Sequence, residues 1–392
     1  MTKINSITDV RRSVEALSGE LADRAHEMDQ ARRLPADLAQ KMASTGIFRI
    51  VTPKSLGGYE ASAREVVELL EQVAISNASA GWCAMIAGTS CLKAAYLAPD
   101  VAQSIYADPN NISGGVFAPM GRADIEGDSY RVNGRWQWGS GAANCTWLAG
   151  GCTIWENGEM RRMPNGVPES RMVIFPAGEA QLADDWHVSG LRGTGSGSFQ
   201  VNNLVVPRSH SVSLAEDLPR ETGALYKFPS FGLLALGISA VAMGNAAGSI
   251  DSVKQIAVSR GRQSSRKTLA ERGTVQRTFA EITGQFRAAR AYLYTEVDRV
   301  WDIANTLAPG EAIPLDVRAD LRLACTHMTR TAAEVARTAY ELGGGASLFE
   351  NSDLQRRFRD AYAATQHIMT SPDTYEMVGR VFFGAPPDGA LI

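Results

Sequence analysis

Asn133-Gly134-Arg135-Trp136-Gln137-Trp138-Gly139-Ser140-Gly141 lies in the part of the chain that reads as strand, with long helical patterns before and after it. Asn-Gly is a strong hairpin signal, so a tight turn is expected between Tyr130-Arg131-Val132 and Trp136-Gln137-Trp138. Further β-like runs follow at Trp147 to Ile154, Met172 to Phe175 and Phe199 to Val206. The close spacing of the turns favours a compact antiparallel barrel or sandwich.

Outward from this centre the periodicity changes to helical. Residues 8 to 45 carry Val14, Leu17, Leu21 and Ala25 at spacings of three and four. A segment opens after Pro35 and stops at Gly46, and helical patterns return over Ser62 to Ser76 and Ala80 to Tyr96. Beyond the β-like region the patterns run over about 231–260, 267–305, 315–342 and 353–380, interrupted at Pro309-Gly310 and at Gly343 to Gly345. The order helical, β, helical predicts an α+β protein. Its expected parts are a helical domain at 1–111, a β domain at 112–212, a linker at 213–227 and a four-helix bundle at 228–392.

Composition narrows the function. A chain of 392 residues that is 45% hydrophobic can bury roughly 75% of its unfolded surface. A net charge of -3 gives no electrostatic case for a nucleic-acid partner. Cys83, Cys91, Cys145, Cys152 and Cys325 form no CxxC pair and no zinc spacing, and an odd count suits reduced thiols in a cytoplasm. No metal site is expected among the histidines, which share no ligand spacing. Met1 to Glu20 is polar, unlike a secretory signal. Phe231 to Ile250 has the length of a membrane span, but Ser239, Asn245, Ser249 and four glycines interrupt it, so a tightly packed buried helix is expected.

Several residues could carry chemistry, and each has a plainer reading beside it. Trp138 and Ser140 could form a ring-binding wall, or a hairpin with a core tryptophan. Arg260 could hold a phosphate, or end a solvated helix with Arg262 and Arg266 nearby. Gly343-Gly344-Gly345 could approach a ligand, or simply terminate a helix. Gly190 to Gly197 is followed by a strand and lacks the βαβ frame of dinucleotide binding. His367, after Arg359-Asp360-Ala361 on an apolar helical pattern, is either a satisfied core histidine or a proton-handling group.

Together these segments resemble the acyl-CoA dehydrogenase fold over nearly the whole chain, and within it the two-component flavin-dependent aromatic hydroxylases. The resemblance implies reduced flavin (FMN or FAD) from a separate NAD(P)H:flavin reductase, and dioxygen activated as a C4a-hydroperoxyflavin. It implies that Trp138 packs on the flavin ring and that Ser140, beside Gly141, bonds its N5 edge. It places Trp82 beside flavin and substrate, and Arg260 at the flavin phosphate. Gly344 and Gly345 fall against the cofactor of a neighbouring subunit in a homotetramer. His367 matches the active-site histidine of these hydroxylases, which makes it and Ser140 the catalytic candidates. The phenylalanine-glycine that usually follows the arginine is replaced by Gln263-Ser264, and Ser90 stands where some members have a second histidine. An acyl-CoA dehydrogenase or oxidase would need a carboxylate, and Ala364 to Thr370 contains none. Sulfur or nitrogen oxygenation, and flavin binding without turnover, remain the other readings.

Overall fold

The computed structural model of the protein describes residues 4–259, 268–308, 311–387 and 392. Three helices form over residues 8 to 45: α1 (Ile7–Asp23) and α2 (Ala25–Ala31), then α3 (Ala36–Ser44), which opens after Pro35 as expected. Arg32, left-handed at φ 51°, turns the chain between α2 and α3. Helices α4 (Ala63–Ser76), α5 (Ala78–Ser90) and α6 (Pro99–Tyr106) follow. Ser62 and Glu65 close a reciprocal capping box on α4, satisfying two otherwise orphaned backbone donors.

Eight strands come next: β1 (Ser113–Glu126), β2 (Ser129–Trp136), β3 (Trp147–Glu156), β4 (Glu159–Met160), β5 (Ser170–Pro176), β6 (Gln181–Leu182), β7 (Phe199–Pro207) and β8 (Ser211–Val212). They form a single sheet in the order β6-β7-β2-β1-β3-β5-β8, with β4 on β3. The expectation of a purely antiparallel barrel or sandwich is corrected here, because β1 and β3 pair in parallel and make the sheet mixed. Gly114, Gly115, Pro119 and Gly121 make β1 look like a turn region in sequence. The chain absorbs them as a register shift between Val116 and Gly121.

The expected Asn133-Gly134 hairpin is also corrected. The tight connection is at Gly127-Asp128, with Gly127 at φ +59°, and Asn133-Gly134 lies inside β2 at a shift against β7. Two tertiary demands override the turn preference. The Asn133 side-chain oxygen accepts from the Asn203 amide at 2.8 Å. A Cβ on Gly134 would sit 2.6 Å from the Trp136 ring. Trp136 is fully buried, stacks on Phe199 at 5.1 Å and donates its indole N–H to Gly151 O at 2.8 Å.

The C-terminal part contains the short α7 (Ala224–Lys227) and the long α8 (Ser230–Ser259), α9 (Gly273–Thr306) and α10 (Leu315–Gly343). The pattern read as one helix over 353–380 splits into α11 (Asp353–Ala364) and α12 (Asp373–Phe382). Helix α8 is long and apolar enough to cross a membrane, yet 83% of its apolar window is buried inside the protein. A Cβ on Gly244 would meet Glu71 O at 2.4 Å, which shows how closely α8 and α4 approach.

Candidate active site

The site forms where α5, the exit of β2, the loop after β6 and the break between α11 and α12 converge. Asn77 caps α5 by accepting from the Ala80 amide at 3.0 Å, which sets the direction of the helix turn bearing Trp82. Trp82 is buried and donates its indole N–H to Ser140 Oγ at 3.1 Å. Ser140 is itself buried, in a chain that leaves β2 through two left-handed residues, Trp138 at φ +64° and Gly141 at φ +70°. Gly141 donates its amide to Thr194 O at 2.9 Å, tying this exit to the 191–196 loop.

Ser140 heads a run of hydroxyls. Ser196 Oγ lies 2.6 Å from Ser140 Oγ, and Thr194 Oγ1 lies 2.6 Å from Ser196 Oγ. Thr194 donates to Leu191 O at 2.8 Å. That last contact fixes the direction of the whole run, because two oxygens at this distance repel unless a proton lies between them and the carbonyl has none to give. Thr194 therefore accepts from Ser196, Ser196 accepts from Ser140, and Ser140 accepts from Trp82. The Ser140 proton is committed, and its remaining capacity is to accept.

The loop carrying these hydroxyls is clamped to the C-terminal bundle by the Arg359-Asp360 pair. Asp360 accepts from the Leu191 amide at 2.6 Å, and Arg359 bonds Ser189 O and the Asp29 carboxylate. Burial, reinforced by the nearby Asp29 carboxylate, pushes the Asp360 carboxyl up to about 6. A Cβ on Gly190 would fall 2.1 Å from Arg359 O, so the approach requires glycine there.

His367 is not on a helix, which corrects its expected placement. It caps the short 3-10 turn Ile368–Thr370 between α11 and α12 with extended backbone, φ -73° and ψ 131°. Its Nδ1 accepts from the Met369 amide at 3.2 Å, so the hydrogen of the neutral ring resides on Nε2. The carbonyl of the same Met369 accepts from Arg322 on α10 at 2.8 Å. Desolvation, then the Arg322 charge, push the imidazole down to about 4. The ring centroid lies 5.8 Å from that of Trp82, tilted by 59°.

The structure thus brings together Trp82, Ser140, Gly141 and His367. Trp138 stands beside them at the β2 exit and is 59% exposed. Gly344 and Gly345 lie on an exposed turn with Leu348 and Phe349 also exposed. Arg260 lies outside the described residues. Sequence reasoning missed Thr194, Ser196, Arg322 and the role of Arg359 and Asp360. The glycines of 190–197 were the signal available for the loop, and they mark its close approach without revealing its hydroxyls.

The arrangement fits a flat heteroaromatic group with an N–H at its edge. A tryptophan held at positive φ and left exposed is a strained placement that the protein's own packing does not repay. It offers a stacking surface beside a buried oxygen whose proton is already committed. Cys83 and Cys145 line a small cavity with Ser140 and Gly141, and burial pushes both thiols up to about 12.

Comparison with known proteins gives an independent view. Residues 8–100 match the acyl-CoA dehydrogenase N-terminal domain, and residues 236–372 match the acyl-CoA dehydrogenase C-terminal domain. The chain is 32% identical to an indole-3-acetate monooxygenase of Pseudomonas putida, covering 95% of this chain and 94% of that one. It is 27% identical to the flavin-dependent monooxygenase oxygenase subunit HsaA of Rhodococcus jostii, covering 97% and 99%. The crystal structure of 3-HSA hydroxylase from Rhodococcus sp. RHA1 superposes with a TM-score of 0.89 at 26% identity, covering 98% and 99%.

Proposed function

The chain belongs to the flavin-dependent monooxygenases of the acyl-CoA dehydrogenase fold, and from that premise we propose that His367 and Ser140 divide the proton work of an aromatic hydroxylation. The protein is the oxygenase component of a two-component system that uses reduced flavin and dioxygen. Reduced flavin, when bound, supplies the electrons that activate oxygen. The protein's part is to hold the ring, exclude water and place protons.

The observation that carries the proposed division is the Met369 amide on His367 Nδ1. With that nitrogen occupied, His367 faces the site as a neutral donor through Nε2, and it can assist an oxygen that gains negative charge. Taking a phenolic proton at Nε2 would first require giving up the Met369 contact. Trp82, bonded to Ser140, and the exposed Trp138 would offer ring surfaces to the bound flavin, and Ser140 would accept from its N5 edge. The indole ring named for the Pseudomonas putida relative makes aryl and indolyl carboxylic acids the first substrates to try. Supplying the protein with a flavin reductase, NAD(P)H and such a panel tests the reading. Formation of a hydroxylated product supports it, and peroxide alone with every aromatic compound contradicts it.

Two further expectations arise from the site. Ser140→Ala removes the N5 acceptor, so the fraction of consumed oxygen released as hydrogen peroxide should rise several-fold, measured against hydroxylated product. The pH dependence follows from the direction of the His367 shift. A base whose folded value of about 4 lies below its ordinary 6.5 stays neutral at every pH above about 4. Its contribution to stability is complete above 6.5 and is lost as pH falls from 6.5 through 4. Product formed per oxygen should therefore be flat between about pH 6 and 8. An inflection near 6.5 that disappears in His367→Gln would contradict the neutral-donor role.

Assembly and compartment complete the proposal. We place the exposed turn of Gly344, Gly345, Leu348 and Phe349 against a neighbouring subunit of a homotetramer, which an apolar exposed patch supports. A cytoplasmic setting is supported by five cysteines that are all free thiols.

A further inference from the structure

We propose that Thr194 and Ser196 act as positioning residues that make the site discriminate between the two redox forms of its flavin, favouring the reduced form on entry and the oxidised form for release. The inference rests on the proposed contact between Ser140 and the N5 edge, and goes beyond it in naming the two residues that set the direction of that hydrogen bond.

The argument is one of hydrogen-bond direction. Reduced flavin carries a hydrogen at N5 and can donate there, whereas N5 of oxidised flavin is a bare acceptor. The run Trp82, Ser140, Ser196, Thr194, Leu191 O has contacts of 3.1, 2.6, 2.6 and 2.8 Å. Its far end is anchored on a carbonyl, so every hydroxyl proton points away from the flavin edge. Thr194, Ser196 and Ser140 are all nearly inaccessible to solvent, so a lost partner is not replaced by bulk water. Ser140 can accept from N5–H without disturbing anything. To donate to a bare N5 it must withdraw its proton from Ser196, leaving a buried oxygen without its donor. The cost falls on the oxidised form alone.

This bias suits an oxygenase whose flavin arrives reduced from another protein and must leave once spent. The anchoring depends on the Arg359-Asp360 clamp, since Asp360 holds the Leu191 amide while the Leu191 carbonyl holds Thr194. One residue of the loop thus connects the bundle to the hydroxyl run.

The test is equilibrium binding of FMN and of FAD, each oxidised in air and reduced under anaerobic conditions, to the full-length protein and its variants. Ser196→Ala removes the group that takes the Ser140 proton. Thr194→Val removes the acceptor of the Ser196 proton, which can then turn back toward Ser140. Both free the Ser140 proton by different routes. Each should lower the preference for reduced over oxidised flavin by about 3–10-fold, chiefly by tightening the oxidised form. Thr194→Ser restores the hydroxyl and should restore the preference, which a merely structural role for Thr194 would not require. Ser140→Ala reads the underlying contact. If it changes the preference while Ser196→Ala and Thr194→Val do not, the contact stands and the directional argument is overturned. If Ser140→Ala leaves the preference unchanged, the N5 contact itself is wrong and the inference falls with it.

Discussion

His367→Ala should lower hydroxylated product by about 10²–10⁴-fold while oxygen continues to be consumed, now returned as hydrogen peroxide. Electrons reach oxygen through the flavin, so removing the imidazole leaves that step in place and takes away the donor at the reacting centre. The ring is held at Nδ1 by the Met369 amide, and Met369 is itself fixed through its carbonyl by Arg322. Its tautomer is therefore set before any substrate arrives, which is where such a group gains its effect. His367→Gln separates the two proton roles. A glutamine amide can donate, so it should recover part of the product if the histidine acts as a donor. Recovery no better than alanine would point to proton abstraction instead. Product and peroxide are quantified side by side with reduced flavin supplied by a reductase.

Trp136→Ala should lower unfolding stability by about 3–5 kcal/mol, read from urea or guanidinium transitions. The indole is fully buried, stacks on Phe199 at 25° between planes and lies 6.0 Å from Phe175. Its N–H is spent on Gly151 O, so truncation opens a cavity and orphans a carbonyl. The pocket is cut to this side chain, because a Cβ at Gly150 would fall 2.4 Å from the ring. Trp138, two residues later, should behave oppositely. The residue is 59% exposed, so Trp138→Ala is expected to change stability by no more than about 0.5 kcal/mol and to weaken flavin binding instead. Equal stability losses at the two positions would mean that Trp138 is a packing residue after all.

That pair shows how much of the molecule was legible in its residues. The change of period from 3.6 to 2 and back declared the helical, β, helical order, because burying one face imposes that pattern on any helix or strand. Asn133-Gly134 misled because its preference for a turn is local, whereas the space needed by Trp136 and the bond to Asn203 are set by other strands. The parallel pairing of β1 with β3 was hidden by glycines and a proline that a bulge accommodates. His367 could be singled out, but not its departure from the helix, since the apolar spacing continues past the end of α11 at Ala364. Ser140 and Trp82 were found through resemblance. Thr194 and Ser196 were not found, because small hydroxyl residues in a loop carry no periodic signal and acquire meaning only from what faces them.

The thiols beside the pocket have a practical consequence for an enzyme that generates an oxidant within itself. Cys83 and Cys145 share a cavity with Ser140 and Gly141, within reach of any peroxide that escapes unproductively. Sulfur attacks peroxide as the thiolate, and a thiol pushed up to about 12 is almost never in that form at neutral pH. The walls nearest the hazard are thus chemically quiet, and turnover that leaks should wear the protein out slowly.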